Sequence, residues 1–359
     1  MSSQFSTYIV SKIKRETEDA VSVELQPANG TEIPDFLPGQ YLTFRLMMDG
    51  EEIRRSYSIC SSPAEGVLRV GIKRLKGGRF STYANEVLAV GDTVEVMEPM
   101  GKFTHSCNQS NQNHYIGFAA GSGITPILSI VKSVLTEEPN SRFSLFYGNK
   151  RTADIMFKEE IEGLKNIYLN RFSVYHILSK EKSDIPLFGG RIDRPKLEKF
   201  AKLFFDSKKV SSAFLCGPLQ MTENIAEFLE EQGMDKEQIK FELFTTEGTQ
   251  KRTVDKEEIA KNIETDSVAV SLRIDGDIYD FDMDKKGVTI LDGAANTGAD
   301  VPYACKGGVC STCRAKLVSG EVHMEVNYAL EKDELEQGFI LTCQSYPKTE
   351  KVEVDFDIK

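Results

Sequence analysis

The stretch "ACKGGVCSTC", residues 304–313, brings Cys305, Cys310 and Cys313 close together, and a fourth thiol, Cys343, follows further along the chain. Four thiolates suit a metal centre. Zinc sites built from four cysteines usually repeat a C-x2–4-C pair twice, whereas here the spacing is C-x4-C-x2-C followed by one distant cysteine. That asymmetry suits a loop wrapped around a [2Fe–2S] cluster, because the thiolates must converge on two neighbouring irons. Gly307 and Gly308 let the backbone pass close to the sulfurs, and Ser311 and Thr312 offer hydrogen-bond donors to them. The chemistry implied is one-electron transfer.

A one-electron carrier needs a source of electrons. In "RRSYSIC", residues 54–60, strand alternation puts Arg55 and Tyr57 on one face, where a guanidinium could hold a phosphate and a ring could cover a flat heterocycle. In "KGGRFSTYANEVL", Gly77 and Gly78 precede Ser81, which is expected to open a helix whose free N–H groups form an anion site. Taken singly, these stretches also describe an ordinary exposed strand and an ordinary capped turn. "AAGSGITPILS", residues 119–129, leaves an apolar strand and begins a helix, so N–H groups near Gly121, Gly123 and Thr125 can receive a pyrophosphate. Pro126 stands there in place of a third glycine. "CGP", Cys216 to Pro218 with Gly217 between, ends a later strand at the edge where open α/β sheets bind ligands. A buried structural role for Cys216 stands beside a role at that edge; Cys60, Cys107 and the four histidines read as structural. After the strand "RFSLFYGN" no acidic residue follows to hold a ribose hydroxyl. Asn149, Lys150 and Arg151 stand there instead, which suits the 2′-phosphate of NADPH, with NADH also possible and a solvated basic loop the alternative.

The elements that must position these groups fall into three modules. Residues 1–107 alternate apolar and polar in short runs such as "AVSVELQP" and "DTVEVMEP", separated by turn residues, and predict an antiparallel β-barrel interrupted by one helix at "STYANEVLA". Residues 108–246 switch to strands followed by amphipathic stretches, the pattern of an α/β domain with a parallel sheet. Residues 247–264 are polar and predict a linker, and residues 265–359 form a compact module that opens with a hairpin turning at Asp275-Gly276. The expected whole is multidomain.

The chain has 359 residues, 40% of them hydrophobic and 28% charged, as in ordinary globular proteins. Its acidity is uneven: residues 265–359 hold 18 acidic and 10 basic side chains, and the remainder 37 and 34. That argues against nucleic acid as a partner and for docking of the last module onto a basic protein surface. No apolar run is long enough to cross a membrane and the N-terminus lacks a signal-peptide core, so the expected location is the cytoplasm. Seven cysteines there suit metal binding better than a disulfide framework.

"ADVPYACKGGVCSTCRAKLVSGEV" ahead of "GFILTCQSYP" resembles the cluster loop and closing ligand of plant-type ferredoxins, over residues 266–359. This implies an α+β β-grasp domain with Cys305, Cys310, Cys313 and Cys343 as iron ligands. Residues 5–246 resemble the ferredoxin–NADP reductase superfamily through "RRSYSIC", "KGGRFS", "AAGSGITP" and "CGP". That resemblance implies FAD rather than FMN, with Arg55 on its pyrophosphate, Tyr57 on the isoalloxazine and Ser58 near the reactive nitrogen. It places Gly78 and Ser81 around the phosphates, Thr125 near the nicotinamide and Cys216 near the hydride-transfer position. The ferredoxin-last order and "YGNKRTADIMF" resemble the reductase components of phenylacetyl-CoA epoxidases, which feed a diiron oxygenase. Reductases of ketosteroid hydroxylases and acyl desaturases share the layout. Another acceptor, such as a hybrid-cluster protein, or a non-catalytic redox sensor are the alternatives.

Overall fold

The computed structural model describes residues 5–244, 267–284 and 287–358, which fall into two compact units, Phe5–Phe244 and the ferredoxin-like C-terminal part. The expected linker at 247–264 lies outside the described residues.

The first unit begins with six antiparallel strands: β1 (Phe5–Thr17), β2 (Ala20–Pro27), β3 (Tyr41–Met48), β4 (Glu51–Ser58), β5 (Leu68–Lys73) and β6 (Thr93–Met97). They are ordered β4-β3-β6-β1-β2-β5, and a bridge between Ile59 and Val70 draws the two edges together into a barrel. Val10, Val23, Leu25, Leu42, Phe44, Val70, Ile72 and Val96 fill its interior. Helix α1 (Arg79–Glu86) closes over it, with Phe80 and Ala84 buried in the same core. The helix starts at Arg79 and is capped by Gly78, two residues earlier than the sequence predicts. Ser81 is therefore its third residue, not its opening one.

The chain then builds a parallel sheet from β7 (His114–Ala120), β8 (Arg142–Asn149), β9 (Phe172–Leu178), β10 (Ser212–Cys216) and β11 (Ile239–Glu242), ordered β11-β10-β7-β8-β9. Helices α2 (Ile124–Glu137) and α3 (Lys158–Ile167) cover one face, with Ile127, Val131, Ile161, Phe143 and Phe214 between the layers. Helices α4 (Arg194–Leu203) and α5 (Leu219–Glu231) cover the other, over Phe118, Phe146, Phe200 and Phe228. Strand order reverses between β7 and β10, so a crevice opens at their carboxyl ends, the ligand position in such sheets.

At the opposite end of β7, the side-chain donor atoms of His105, Cys107 and Glu138 lie within 4.8 Å of one another, although their sequence spacing does not announce it. Glu138 accepts hydrogen bonds from His105 Nε2 at 2.9 Å, Asn111 Nδ2 at 2.9 Å and the Tyr115 hydroxyl at 2.9 Å. Burial raises its pKa, but bonds from Ser141, His105, Asn111 and Tyr115 outweigh that and hold it below the usual carboxylate range. The carboxylate thus ties the segment between barrel and sheet to the end of α2.

The second unit pairs β12 (Ser267–Ile274) with β13 (Asp277–Asp284) through Asp275 and Gly276, both left-handed, as the two-residue hairpin requires. It continues with α6 (Ile290–Asn296), β14 (Arg314–Ser319), β15 (Val322–Met324), α7 (Lys332–Glu336), β16 (Phe339–Leu341), β17 (Ser345–Pro347) and β18 (Lys351–Asp355). The main sheet runs β13-β12-β18-β14-β16, with β12 and β18 parallel, which is a β-grasp arrangement. Val270, Leu272, Leu291, Ala315, Leu341 and Val354 form its core.

Candidate cofactor and electron-transfer sites

The two arginines of "RRSYSIC" are separated by the fold. Arg54 is buried, paired with Glu52 at 2.7 Å and stacked over the Phe5 ring, whereas Arg55 is exposed and donates from Nη1 to the Arg54 carbonyl. Tyr57 packs against Phe80 and Phe44, with ring centroids 5.4 and 5.8 Å apart, and burial pushes its hydroxyl pKa well up. An exposed guanidinium and a fixed ring on one strand fit a phosphate and a planar heterocycle. Gly77 and Gly78 form the turn ahead of α1. The Ser81 hydroxyl faces back into that turn, donating to the Gly78 carbonyl and accepting from Leu75 N, both at 3.2 Å.

Gly121 to Gly123 form one 3-10 turn between β7 and α2. The Gly121 carbonyl accepts from the buried Tyr147 hydroxyl at 3.0 Å, and the Thr125 hydroxyl donates to the Ser122 carbonyl at 3.0 Å. Gly123 must be glycine: a Cβ there would stand 2.2 Å from the Cys216 carbonyl oxygen. The nucleotide turn and the end of β10 are therefore in backbone contact. Gly217 and Pro218 carry the chain from β10 into α5, with Pro218 at the helix cap.

Cys216 is fully buried and burial pushes its thiol up; the neighbouring Glu242 adds to that rise. In the parallel register Cys216 stands beside Glu242 of β11. The Ser58 hydroxyl, on the barrel, donates to Glu242 Oε2 at 3.0 Å. Burial lifts the Glu242 carboxyl to about 8, against which the Ser58 bond works. Three groups from β4, β10 and β11 thus meet where barrel and sheet join. Glu242 was not legible as part of the site, since in sequence it is one residue of an ordinary strand.

Asn149 is buried at the end of β8, and Lys150 and Arg151 are exposed beyond it. The loop after β9 delivers an acidic residue to the same place. Glu181 accepts from Thr152 N at 2.6 Å and from its hydroxyl at 2.8 Å, and these bonds, with Lys158 and Arg151 nearby, hold its pKa below the usual range. The strand end lacks an acidic residue, but the surrounding loop does not.

In the second unit the four thiols gather as two pairs. Cys310 Sγ lies 3.1 Å from Cys305 Sγ, and Cys313 is hydrogen-bonded to Cys343. The amides of Gly307, Val309 and Cys310 face Cys305, that of Gly308 faces Cys343, and the Thr312 hydroxyl faces Cys310. Two thiol pairs ringed by N–H donors match a centre of two irons with two sulfur ligands each. The backbone wraps through left-handed residues at Lys306 and Gly308, not Gly307, and a Cβ at 308 would stand 2.8 Å from the Val326 carbonyl.

A barrel with a flavin-type strand, a nucleotide turn on a parallel sheet and a four-thiol loop on a β-grasp define an NAD(P)H-dependent flavin and iron–sulfur oxidoreductase. Family models agree: an oxidoreductase FAD-binding domain matches residues 8–105, an oxidoreductase NAD-binding domain 118–227 and a 2Fe-2S iron-sulfur cluster binding domain 272–348. The chain is 42% identical over 357 residues to a component of the 1,2-phenylacetyl-CoA epoxidase of Escherichia coli (strain K12), covering 99% of this chain and 98% of that protein. It belongs to that family of three-domain reductases. It is also 30% identical to the ferredoxin reductase component of the 3-ketosteroid-9-alpha-monooxygenase of Rhodococcus rhodochrous, covering 97% of this chain and 95% of that protein. Among solved structures, phthalate dioxygenase reductase shares the fold at 23% identity and a TM-score of 0.62, covering 98% of both chains. An intact type IV self-sufficient cytochrome P450 monooxygenase does so at 21% identity and a TM-score of 0.71. The match covers 98% of this chain but 41% of that one. Among the described residues no helix is long and apolar enough to cross a membrane.

Proposed function

We propose that this protein is the reductase component of a diiron oxygenase acting on an acyl-CoA such as phenylacetyl-CoA, and that it works in the cytoplasm with NADPH as donor. The observation that carries this reading is the 42% identity along nearly the whole of both chains to the epoxidase component. The ketosteroid monooxygenase reductase, at 30%, supports a steroid oxygenase as the second reading.

FAD and the [2Fe–2S] cluster, when bound, convert a two-electron hydride into single electrons. The protein's own groups bind and orient. Arg55 and Tyr57 would hold the flavin through phosphate charge and ring contact, with Gly77, Gly78 and Ser81 forming the turn at its phosphates. The turn Gly121–Gly123 would receive the nucleotide pyrophosphate on amides at the start of α2, with Thr125 behind it. Asn149 and Arg151 would take the adenosine ribose and its phosphate, and Gly217 and Pro218 would flank the nicotinamide. Ser58 and Cys216 are proposed at the reacting atoms, with Glu242 supporting Ser58 through its hydrogen bond. Cys305, Cys310, Cys313 and Cys343 would hold the cluster. The acidic last module would dock onto a basic surface of the acceptor.

The test combines the purified protein with NADPH and the oxygenase components of a phenylacetyl-CoA epoxidase. NADPH-dependent formation of the epoxide from phenylacetyl-CoA is expected. Cytochrome c reduction without epoxide formation would leave the reductase class standing and reject this partner.

A further inference from the structure

Four charged side chains with no part in cofactor binding meet where the barrel packs on the parallel-sheet domain. The barrel supplies Glu65, from the 3-10 turn Pro63–Glu65, and Arg69 on β5. The sheet domain supplies Lys132 on α2 and Glu160 on α3. Lys132 Nζ lies 2.9 Å from Glu65 and also pairs with Glu160. Arg69 lies 2.6 Å from Glu160 and 3.5 Å from Glu65. Each domain thus contributes one cation and one anion, and each cation is bound both within its own domain and across the boundary. The side chains of Lys132 and Arg69 are only 5% and 12% exposed.

Through Lys132 the quartet also holds the backbone that follows β4. Lys132 Nζ donates to the Cys60 carbonyl at 3.1 Å, and one turn earlier on α2 the Ser129 hydroxyl donates to the Ser61 carbonyl at 2.6 Å. Residues 125, 129 and 132 share a helix face, and Thr125 packs where β5 has Gly71, whose Cβ would lie 2.6 Å from the Thr125 methyl. Helix α2 therefore has the nucleotide turn at its N-terminus and, along one face, bonds to the backbone that directly continues Tyr57 and Ser58. Burying charges contributes little net stability, since apolar replacements of such groups are often neutral or stabilising. Directional bonds do what an apolar contact does not: they fix one relative orientation.

We infer that the quartet Glu65, Arg69, Lys132 and Glu160 is an alignment device for hydride transfer, and that Lys132 is a positioning residue. It holds the nucleotide turn at one distance from the flavin strand. The test uses the full-length protein with FAD bound. Lys132→Met should keep its FAD and its affinity for NADP+ within about twofold, while flavin reduction by NADPH in anaerobic stopped flow slows on the order of 10- to 100-fold, the scale of a misplacement near 1 Å. Lys132→Arg, which keeps charge and donors, should recover most of the rate. A wild-type rate in Lys132→Met, or a loss of rate matched by loss of FAD or NADP+ binding, would overturn the inference. Should Lys132→Met not fold, Glu65→Gln and Glu160→Gln, which each leave Lys132 one carboxylate, are read in the same assay. Unchanged rates in both would then reject it.

Discussion

Glu242→Gln should remove a pH dependence from the stability of the native protein. Burial lifts the Glu242 carboxyl from its ordinary 4.5 to about 8, so the folded protein keeps a proton there that the unfolded chain releases. Between those two values the native state binds more protons than the unfolded one. Stability contributed by this group is therefore full below 4.5, falls as pH rises toward 8, and is level above. At 1.36 kcal/mol per decade the displacement amounts to at most about 5 kcal/mol. For a unit of this size 1 kcal/mol shifts Tm by about 2–4 °C. Glutamine mimics the protonated form at every pH, so the wild-type Tm should drop relative to Glu242→Gln by on the order of 10 °C between pH 5 and pH 9. Calorimetry of both proteins at half-unit steps, with FAD saturating, measures the difference directly and cancels other titrating groups. Parallel curves, or a wild type that gains on the variant toward alkaline pH, would refute the burial argument.

Tyr57→Ala and Arg55→Ala should each emerge from gel filtration with substoichiometric FAD, since a ring contact contributes about 1 kcal/mol beyond area burial and a charged phosphate bond about 1.5–3 kcal/mol; full flavin content in both sinks the barrel assignment. Cys310→Ala should lose the cluster absorbance and at least tenfold of cytochrome c reduction, while NADPH oxidation with ferricyanide stays within about twofold, because three thiolates cannot complete two tetrahedral irons. A variant that retains FAD yet loses both activities would break the linear order of carriers. Arg151→Ala should raise the KM for NADPH about tenfold, the worth of one charged hydrogen bond, and leave NADH nearly untouched; equal effects on both would show that this loop does not read the 2′-phosphate.

The barrel, the parallel sheet and the hairpin at Asp275-Gly276 were legible because each rests on a local pattern. "AVSVELQP" buries Ala20, Val21, Val23 and Leu25, and "HYIGFAA" ends where its glycine turn begins. The cysteine loop was legible for the same reason, its three near thiols being confined to one turn of chain. Which residue takes the left-handed conformation was not: Lys306 adopts it, at a position that glycine preference would not select. Long-range pairings were invisible altogether. Glu242 meets Ser58 across 184 residues, and its place beside Cys216 follows from strand register, which no single segment encodes. Glu181 arrives at the Arg151 loop from the segment after a different strand, so a rule written for the end of β8 overlooks it. The charges at 65, 69, 132 and 160 come together only in the fold, from four separate elements, because their burial is a property of the docked domains.

The bare backbone of Gly123 against the Cys216 carbonyl also governs how these reductases can be recombined. A turn transplanted from a relative must keep glycine at position 123 and the same approach to the strand end, since a Cβ there would stand 2.2 Å from the Cys216 carbonyl oxygen. Chimeras cut between residues 123 and 216 would separate two surfaces shaped as one, whereas exchanging the whole block from β7 to β11 moves both together. The unit to exchange is therefore the sheet edge as a whole, with the turn Gly121–Gly123 and the end of β10 moved together.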